Sequence, residues 1–225
     1  MKEKRWICVC VLLCLLFCGM AAADGPEMIG EISGTCEGIA YVLPCFEGGS
    51  ETEEAINLWM KRLAEEGLPE MFPQLLFSEN DARVNYFISR NDERYLSVVL
   101  EAETEDGTVG RKAVTFARDG IYAGQVIDLM QVLGLESEIS TDEMNRTIRA
   151  LIWENVQRDA GNMDRGYLDG LTIEAVTYAL NPQWDFRLDE NGNIVFVIQP
   201  GEIAAEMEGV LEFPFMPEEL IDATK

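Results

Sequence analysis

The chain has no histidine among its 225 residues. That excludes Ser-His-Asp and Cys-His catalysis, HExxH zinc sites and most zinc or copper centres, all of which need an imidazole. Cations are scarce as well: 17 Lys and Arg stand against 41 Asp and Glu, a formal charge of -24. So acidic a chain repels phosphate backbones and anionic membrane faces, so nucleic acid is not an expected partner. The same charge attracts a cationic partner, and it also keeps an exposed surface solvated. After the first two dozen residues no apolar stretch is long enough to cross a bilayer. Cysteine is nearly absent from the same region: four of the six fall before residue 19, leaving Cys36 and Cys45.

The one long apolar run lies at the N-terminus. Met1 to Arg5 is basic, Ile7 to Phe17 is unbroken apolar sequence, and Ala21-Ala22-Ala23 precedes Asp24. Basic, apolar, then small is the pattern of a secretory signal peptide, residues 1–23, cut after Ala23. The expected location is secreted or extracytoplasmic, associated with the cell envelope. Membrane attachment follows only if the segment is retained; Ile7 to Ala23 is near the short limit of a span. Residues 1–23 carry three cations and one anion, so their removal takes the charge from -24 to -26.

Outside the cell Cys36 and Cys45 have the option of bridging. Gly38 to Leu43 between them reads as a strand, and nine extended steps span roughly 30 Å. A disulfide therefore needs a turn inside the loop, at Gly38; otherwise the two remain separate thiols.

Along the rest of the chain, residues 24–36 are polar and glycine-containing and read as a lead-in. A strand through Tyr41 and Leu43 follows. Ser50 sits three residues before Glu53, the spacing of a capping box. Ile56, Trp59, Met60 and Leu63 recur at helical spacing, so a helix is expected over Glu51–Glu66, its apolar stripe facing a core. Arg83–Ser89, Tyr95–Glu103 and Arg111–Ala117 read as an antiparallel meander with one face packed and the other wet. A short helix is expected over Gln125–Leu133. Ser140 and Glu143 repeat the capping-box spacing before a second long helix that carries Met144, Ile148, Ile152 and Val156 and ends by Gly161. Strands are expected at Leu171–Leu180, Trp184–Asp189 and Asn193–Gln199, with Asn191-Gly192 as a turn. The fold class is α+β: antiparallel meander sheets packed by two main helices, in a single module over 37–221 with subregions 37–120 and 121–221.

No cofactor or metal site and no catalytic residue emerges. Asp189 to Asn193 has its glycine at the fourth position, where a calcium loop needs it at the sixth, so a plain hairpin is expected. Phe213, Phe215, Trp184 and Phe186 suit either a core or a groove. Enzymes do work with two carboxylates alone, but 41 acidic residues hide any such pair.

The C-terminus carries a more specific signal. Asn193 to Phe215 reads as a buried strand, a break at Pro200-Gly201, one helical turn, Gly209 and a last strand. With Pro200, Glu202, Ile203, Ala204, Gly209 and Leu220, it resembles the closing segment of an extracytoplasmic bacterial domain of uncharacterised role. That domain is found in RsiV-like ectodomains (the lysozyme-sensing anti-sigma-V factor) and as an accessory region of PdaC-like peptidoglycan deacetylases. Ala55-Ile56-Asn57, Thr115-Phe116, Asp119, Gly124 and Asp128-Leu129 are similar to other parts of its pattern. Asp106 to Gly110 departs from it, because many members carry a histidine there. The resemblance implies a binding module, not an enzyme, with a cell-wall component or a cationic protein such as a lysozyme as partner. A carboxylate-dependent enzyme acting on envelope polysaccharide, with Glu202 the first carboxylate to test, is the alternative; a purely structural envelope protein is another.

Overall fold

The computed structural model describes residues 28–46, 49–77, 82–105, 107–162 and 166–225. The expected signal peptide, residues 1–23, lies outside the described residues, as do Glu47-Gly48 and Asp106 of two expected turns. No helix among the described residues is long and apolar enough to cross a membrane. The fold is α+β, with one five-stranded and one three-stranded sheet.

The chain enters through β1 (Met28–Cys36) and turns at Glu37-Gly38 into β2 (Ile39–Phe46). Both turn residues have positive φ, 48° and 89°, which suits the twist of a two-residue hairpin. The polar stretch expected as a lead-in is therefore mostly strand: β1 pairs with β2 from Met28↔Phe46 to Cys36↔Ile39. Its alternation is weak because an edge strand needs backbone partners more than apolar side chains.

Helix α1 (Glu51–Arg62) starts at the Ser50/Glu53 capping box, with both reciprocal bonds made. Its regular part stops at Arg62, and Leu63–Gly67 continues as a π turn, where the sequence reads as one helix to Glu66. The short α2 (Leu68–Met71) and a 3-10 turn (Pro73–Phe77) follow. This crossover returns the chain beside β2, so β3 (Arg83–Asn91) pairs with it in parallel at Ala40↔Arg83 and Tyr41↔Val84. The expected meander follows: β3, β4 (Tyr95–Thr104) and β5 (Gly107–Ala117) are antiparallel, completing the order β1-β2-β3-β4-β5.

The second half repeats the plan on a smaller sheet. The capped α3 (Leu129–Leu133) leads to α4 (Thr141–Asn162), which packs on β6 (Phe186–Leu188), β7 (Ile194–Ile198) and β8 (Leu211–Phe215). The expected strand at Leu171–Leu180 is corrected to a helix, α5 (Ile173–Ala179). Its β-branched residues mimic a strand, but Val176, Ala179 and Leu180 are buried at helical spacing and the segment packs on α4. The chain ends in α6 (Pro217–Asp222), which buries Leu220.

Even-numbered β4 residues (Leu96, Val98, Leu100, Ala102) join Ile56, Met60 and Phe116 in one core under α1. Met144, Ile148, Ile152 and Val156 of α4 meet Phe186, Ile194, Phe196 and Phe213 in the other. The opposite faces of both sheets are also buried. Ser97, Val99 and Thr115 on the first, and Val195 and Val197 on the second, are at most 3% exposed. Where β6 lies against β4 and β5, the expected wet face of the meander is covered. The layers therefore run helix, five-stranded sheet, three-stranded sheet, helix.

Candidate functional site

The seam between the sheets is polar where it is half-buried. Arg111 on β5 donates to Glu101 at 2.6 Å and to Glu212 on β8 at 2.8 Å, and Arg187 on β6 closes on Glu212 at 2.8 Å. Burial works to raise the Glu212 pKa, but bonds and charge from Arg187 and Arg111 outweigh it and hold the carboxyl below its usual range. Arg111 is correspondingly raised: burial opposes its charge, and Glu101 and Glu212 more than restore it. Beneath this chain of charges, Ser97 Oγ accepts the Leu188 N–H at 3.2 Å and lies 3.1 Å from Thr115 Oγ1.

β5 is an edge strand, and its exposed backbone is dressed by side chains and loops. The Gln199 amide imitates a strand partner: Oε1 accepts from the Arg111 N–H at 2.8 Å and Nε2 donates to the Arg111 carbonyl at 2.7 Å. A Cβ on Gly110, next to it, would meet Gln74 Nε2 at 2.6 Å, so the Gln74 side chain would have to shift. Two clefts flank this contact.

The first, about 640 Å³, lies between the end of α1, the π turn, α2 and β5. Its apolar wall is Trp59, Leu63 and Met71. Trp59 is fixed edge-on against Phe116, ring centres 5.3 Å apart at 84°. The polar wall is Arg62, Glu66, Glu70 and Lys112. Lys112 is held by Asp185 of the second half at 2.9 Å. Isolated π turns concentrate at functional sites because they break the regular side-chain register. Here the turn carries Leu63, Glu66 and Gly67 into the wall. Sequence reading placed Trp59 in the core stripe; Ile56, Met60 and Leu63 are buried there, but Trp59 is half-buried at the cleft. The only signal was the sequence Gly67-Leu68-Pro69 after a long helical run, too common to assign.

The second cleft, about 440 Å³, is lined by Gln74, Thr104, Val109, Gln199, Pro200, Glu202 and Glu206. Of the residues in the C-terminal motif, Pro200 and Glu202 thus line a cleft, with Glu202 exposed. Ile203, Ala204 and Leu220 instead belong to the second core. Gly209 takes φ +69° at the entry to β8. The upstream resemblance residues have structural duties: Asn57 clips the Phe46 backbone at 2.9 and 2.8 Å, Gly124 seats on Ala55, and Asp128 caps α3. Phe186, Phe213 and Phe215 are core, and Trp184 is half exposed, so these four do not form a groove.

Cys36 and Cys45 are free thiols. The turn a bridge would need is present, but it pairs Cys36 with Ile39 and Cys45 with Gly30, opposite ends of one hairpin. Six strand steps separate those ends by about 20 Å, beyond the reach of a disulfide. Burial, with Glu37 and Glu66 adding to it, pushes the Cys36 thiol up in pKa. Asp189 forms a side-chain-braced hairpin, accepting the N–H groups of Asn191 and Asn193 at 2.9 and 2.8 Å. No group of acidic or cysteine residues among those described is arranged to hold a metal.

No protein-family model matches the chain, and no curated protein matches it. Among solved structures, it is similar to the crystal structure of a DUF3298 family member from Bacteroides fragilis. The two are 11% identical, with a TM-score of 0.49 over 85% of this chain and 90% of that one.

Proposed function

We propose that this chain is an extracytoplasmic binding module of the cell envelope that takes its ligand in the cleft beside Trp59. The observation that carries the reading is the cleft itself: about 640 Å³, with an apolar wall facing a charged one. Ligand sites have this size and combine apolar walls with a small number of polar groups. The N-terminal signal pattern and the RsiV-like resemblance support an exported location and a cell-wall component as ligand. The test is affinity capture from bacterial envelope extract with the purified protein, read by mass spectrometry. The control is Glu66→Trp, at an exposed wall position, which fills the cleft without touching either core. A captured component lost in that variant supports the reading; identical capture by both proteins overturns it. If the partner is instead a cationic protein such as a lysozyme, drawn by the charge of -26 left after signal removal, retention falls steeply with salt and ignores Glu66→Trp.

A second reading has one observation in its favour. Glu202 and Glu206 line the same cleft of about 440 Å³, which brings two exposed carboxylates to one opening. Turnover of peptidoglycan fragments that disappears in Glu202→Gln would establish two-carboxylate chemistry there.

A further inference from the structure

We infer that the Trp59 cleft is built for a zwitterion: a free amino acid or short peptide offering a carboxylate, an ammonium and an apolar side chain. This rests on the binding reading above and names the ligand class of that cleft. The argument begins with Arg62. Among the described residues it is the one cation with neither a carboxylate partner nor a hydrogen bond. In a chain with 41 acids and 17 bases, an unpaired arginine is the least expected state of a cation.

Arg62 and Glu66 are four residues apart, a spacing that forms ion pairs on a regular helix. The π turn Leu63–Gly67 adds a residue to that turn, with the Leu68 N–H reaching back to the Leu63 carbonyl. The neighbouring Lys61–Glu65 pair, also four residues apart, forms at 3.8 Å. Arg62 and Glu66 do not pair at all, and Glu70 one turn on has no partner either. All three line the cleft.

The wall therefore offers one free guanidinium fork and two free carboxylates around Trp59 and Met71. A guanidinium takes a carboxylate in a two-pronged contact. Two carboxylates take an ammonium. Lys112 is neutralised by Asp185 and adds no net charge. A simple anion meets two like charges for each opposite one, and a plain cation leaves Arg62 unmatched. A zwitterion satisfies both ends while its side chain covers Trp59.

The experiment uses isothermal titration of the purified chain with the dipeptide Leu-Ala, its N-acetyl form and its C-terminal amide. The wild type is expected to bind Leu-Ala, and to lose about tenfold in affinity when either end is capped, the worth of one charge-assisted bond. Arg62→Gln is expected to bind the free and amidated forms alike while still rejecting the acetylated one. Glu66→Gln combined with Glu70→Gln is expected to show the reverse. All three wall groups are exposed, so these variants fold. Free leucine, run beside the dipeptide, separates an amino-acid site from a peptide site. Binding indifferent to capping, discrimination against the amide that survives Arg62→Gln, or no binding of leucine or dipeptide overturns the assignment. If no such ligand binds but envelope capture remains sensitive to Glu66→Trp, the zwitterion falls and the binding reading stands. If capture is also insensitive, both fall.

Discussion

The two halves are the same device built twice, and they differ at the ends of their helices. In the first, α1 lies on five strands and loses its regular register after Arg62. In the second, α4 runs 22 residues without interruption over three strands. The regular helix closes its core completely: Met144, Ile148 and Ile152 are wholly buried, and Val156 is 1% exposed. The interrupted helix buries Ile56 and Met60 equally well, and its π turn buries Leu63 and Ala64 while Trp59, Arg62, Glu66 and Gly67 line the cleft beside it. The lesson is local. The cleft lies beside the backbone irregularity, not where apolar residues run short.

The largest effect that can break this comparison is removal of a core ring from each half. Phe116→Ala and Phe196→Ala are each expected to cost about 3–5 kcal/mol, since both rings are fully buried. If the halves are one cooperative body, either variant lowers a single calorimetric transition. Two transitions, of which each variant moves only its own, would show that the seam couples nothing. One transition is expected, because Val99, Val195 and Val197 bury apolar surface between the sheets.

What the sequence revealed follows from this plan. Elements whose period comes from a nearby core were legible: α1 and α4 by their stripes, β3, β4 and β5 by alternation, β6 and β7 by the Asn191-Gly192 turn. Segments governed by distant partners were not. β1 is a strand because β2 offers it a ladder, and α5 is a helix because α4 offers it a surface. The candidate site falls in the second class. Nothing in the local sequence shows that Arg62 and Glu66 miss one another, or that Lys112, fifty residues later, completes the wall. Glu202 was legible as part of a motif, and it lines a cleft, but the motif's other residues serve packing.

A smaller perturbation sharpens the seam itself. Gln199→Ala removes both bonds to the Arg111 backbone and leaves an N–H and a carbonyl at an edge without partners. The expected cost is about 1–3 kcal/mol, with urea unfolding broadening as the halves begin to separate. A loss no larger than that of a surface substitution would show that water replaces the amide and that the seam is held by its apolar part.

Glu212 tests the seam by pH. Its folded pKa is depressed, so its contribution is full above the unfolded value of about 4.3 and is lost as pH falls through the lower folded value. Glu212→Gln is expected to cost about 1 kcal/mol near neutrality, because it is partly exposed and removes one charge from a linked set. The gap between wild type and variant, measured by urea midpoint, should stay level from neutrality down to about pH 5 and close below about pH 4. A gap that widens in acid would contradict the direction assigned to Glu212. Arg111→Met, which removes the other side of the pair, should flatten the same limb.

The smallest effect compares the two helix starts. At α1 the box is complete: the Glu53 N–H donates to Ser50 Oγ at 3.2 Å, and Glu53 Oε2 accepts from Gly49 and Ser50 at 3.1 and 3.2 Å. At α4 only half is made: Ser140 Oγ accepts the Glu143 N–H at 3.2 Å, and no described residue donates to the Glu143 carboxylate. Ser50→Ala and Ser140→Ala should therefore cost similar amounts, about 1 kcal/mol each, as each removes one cap. Glu53→Ala and Glu143→Ala should differ, because Glu53 makes two bonds that Glu143 lacks. Both lose the attraction of a negative charge for a helix start, about 0.3–1 kcal/mol. Only Glu53→Ala also frees two backbone donors, and their exposure limits the added loss to a few tenths of a kcal/mol. Thermal midpoints of the four variants read this directly: equal serine losses with unequal glutamate losses uphold the difference between the starts, and equal glutamate losses erase it.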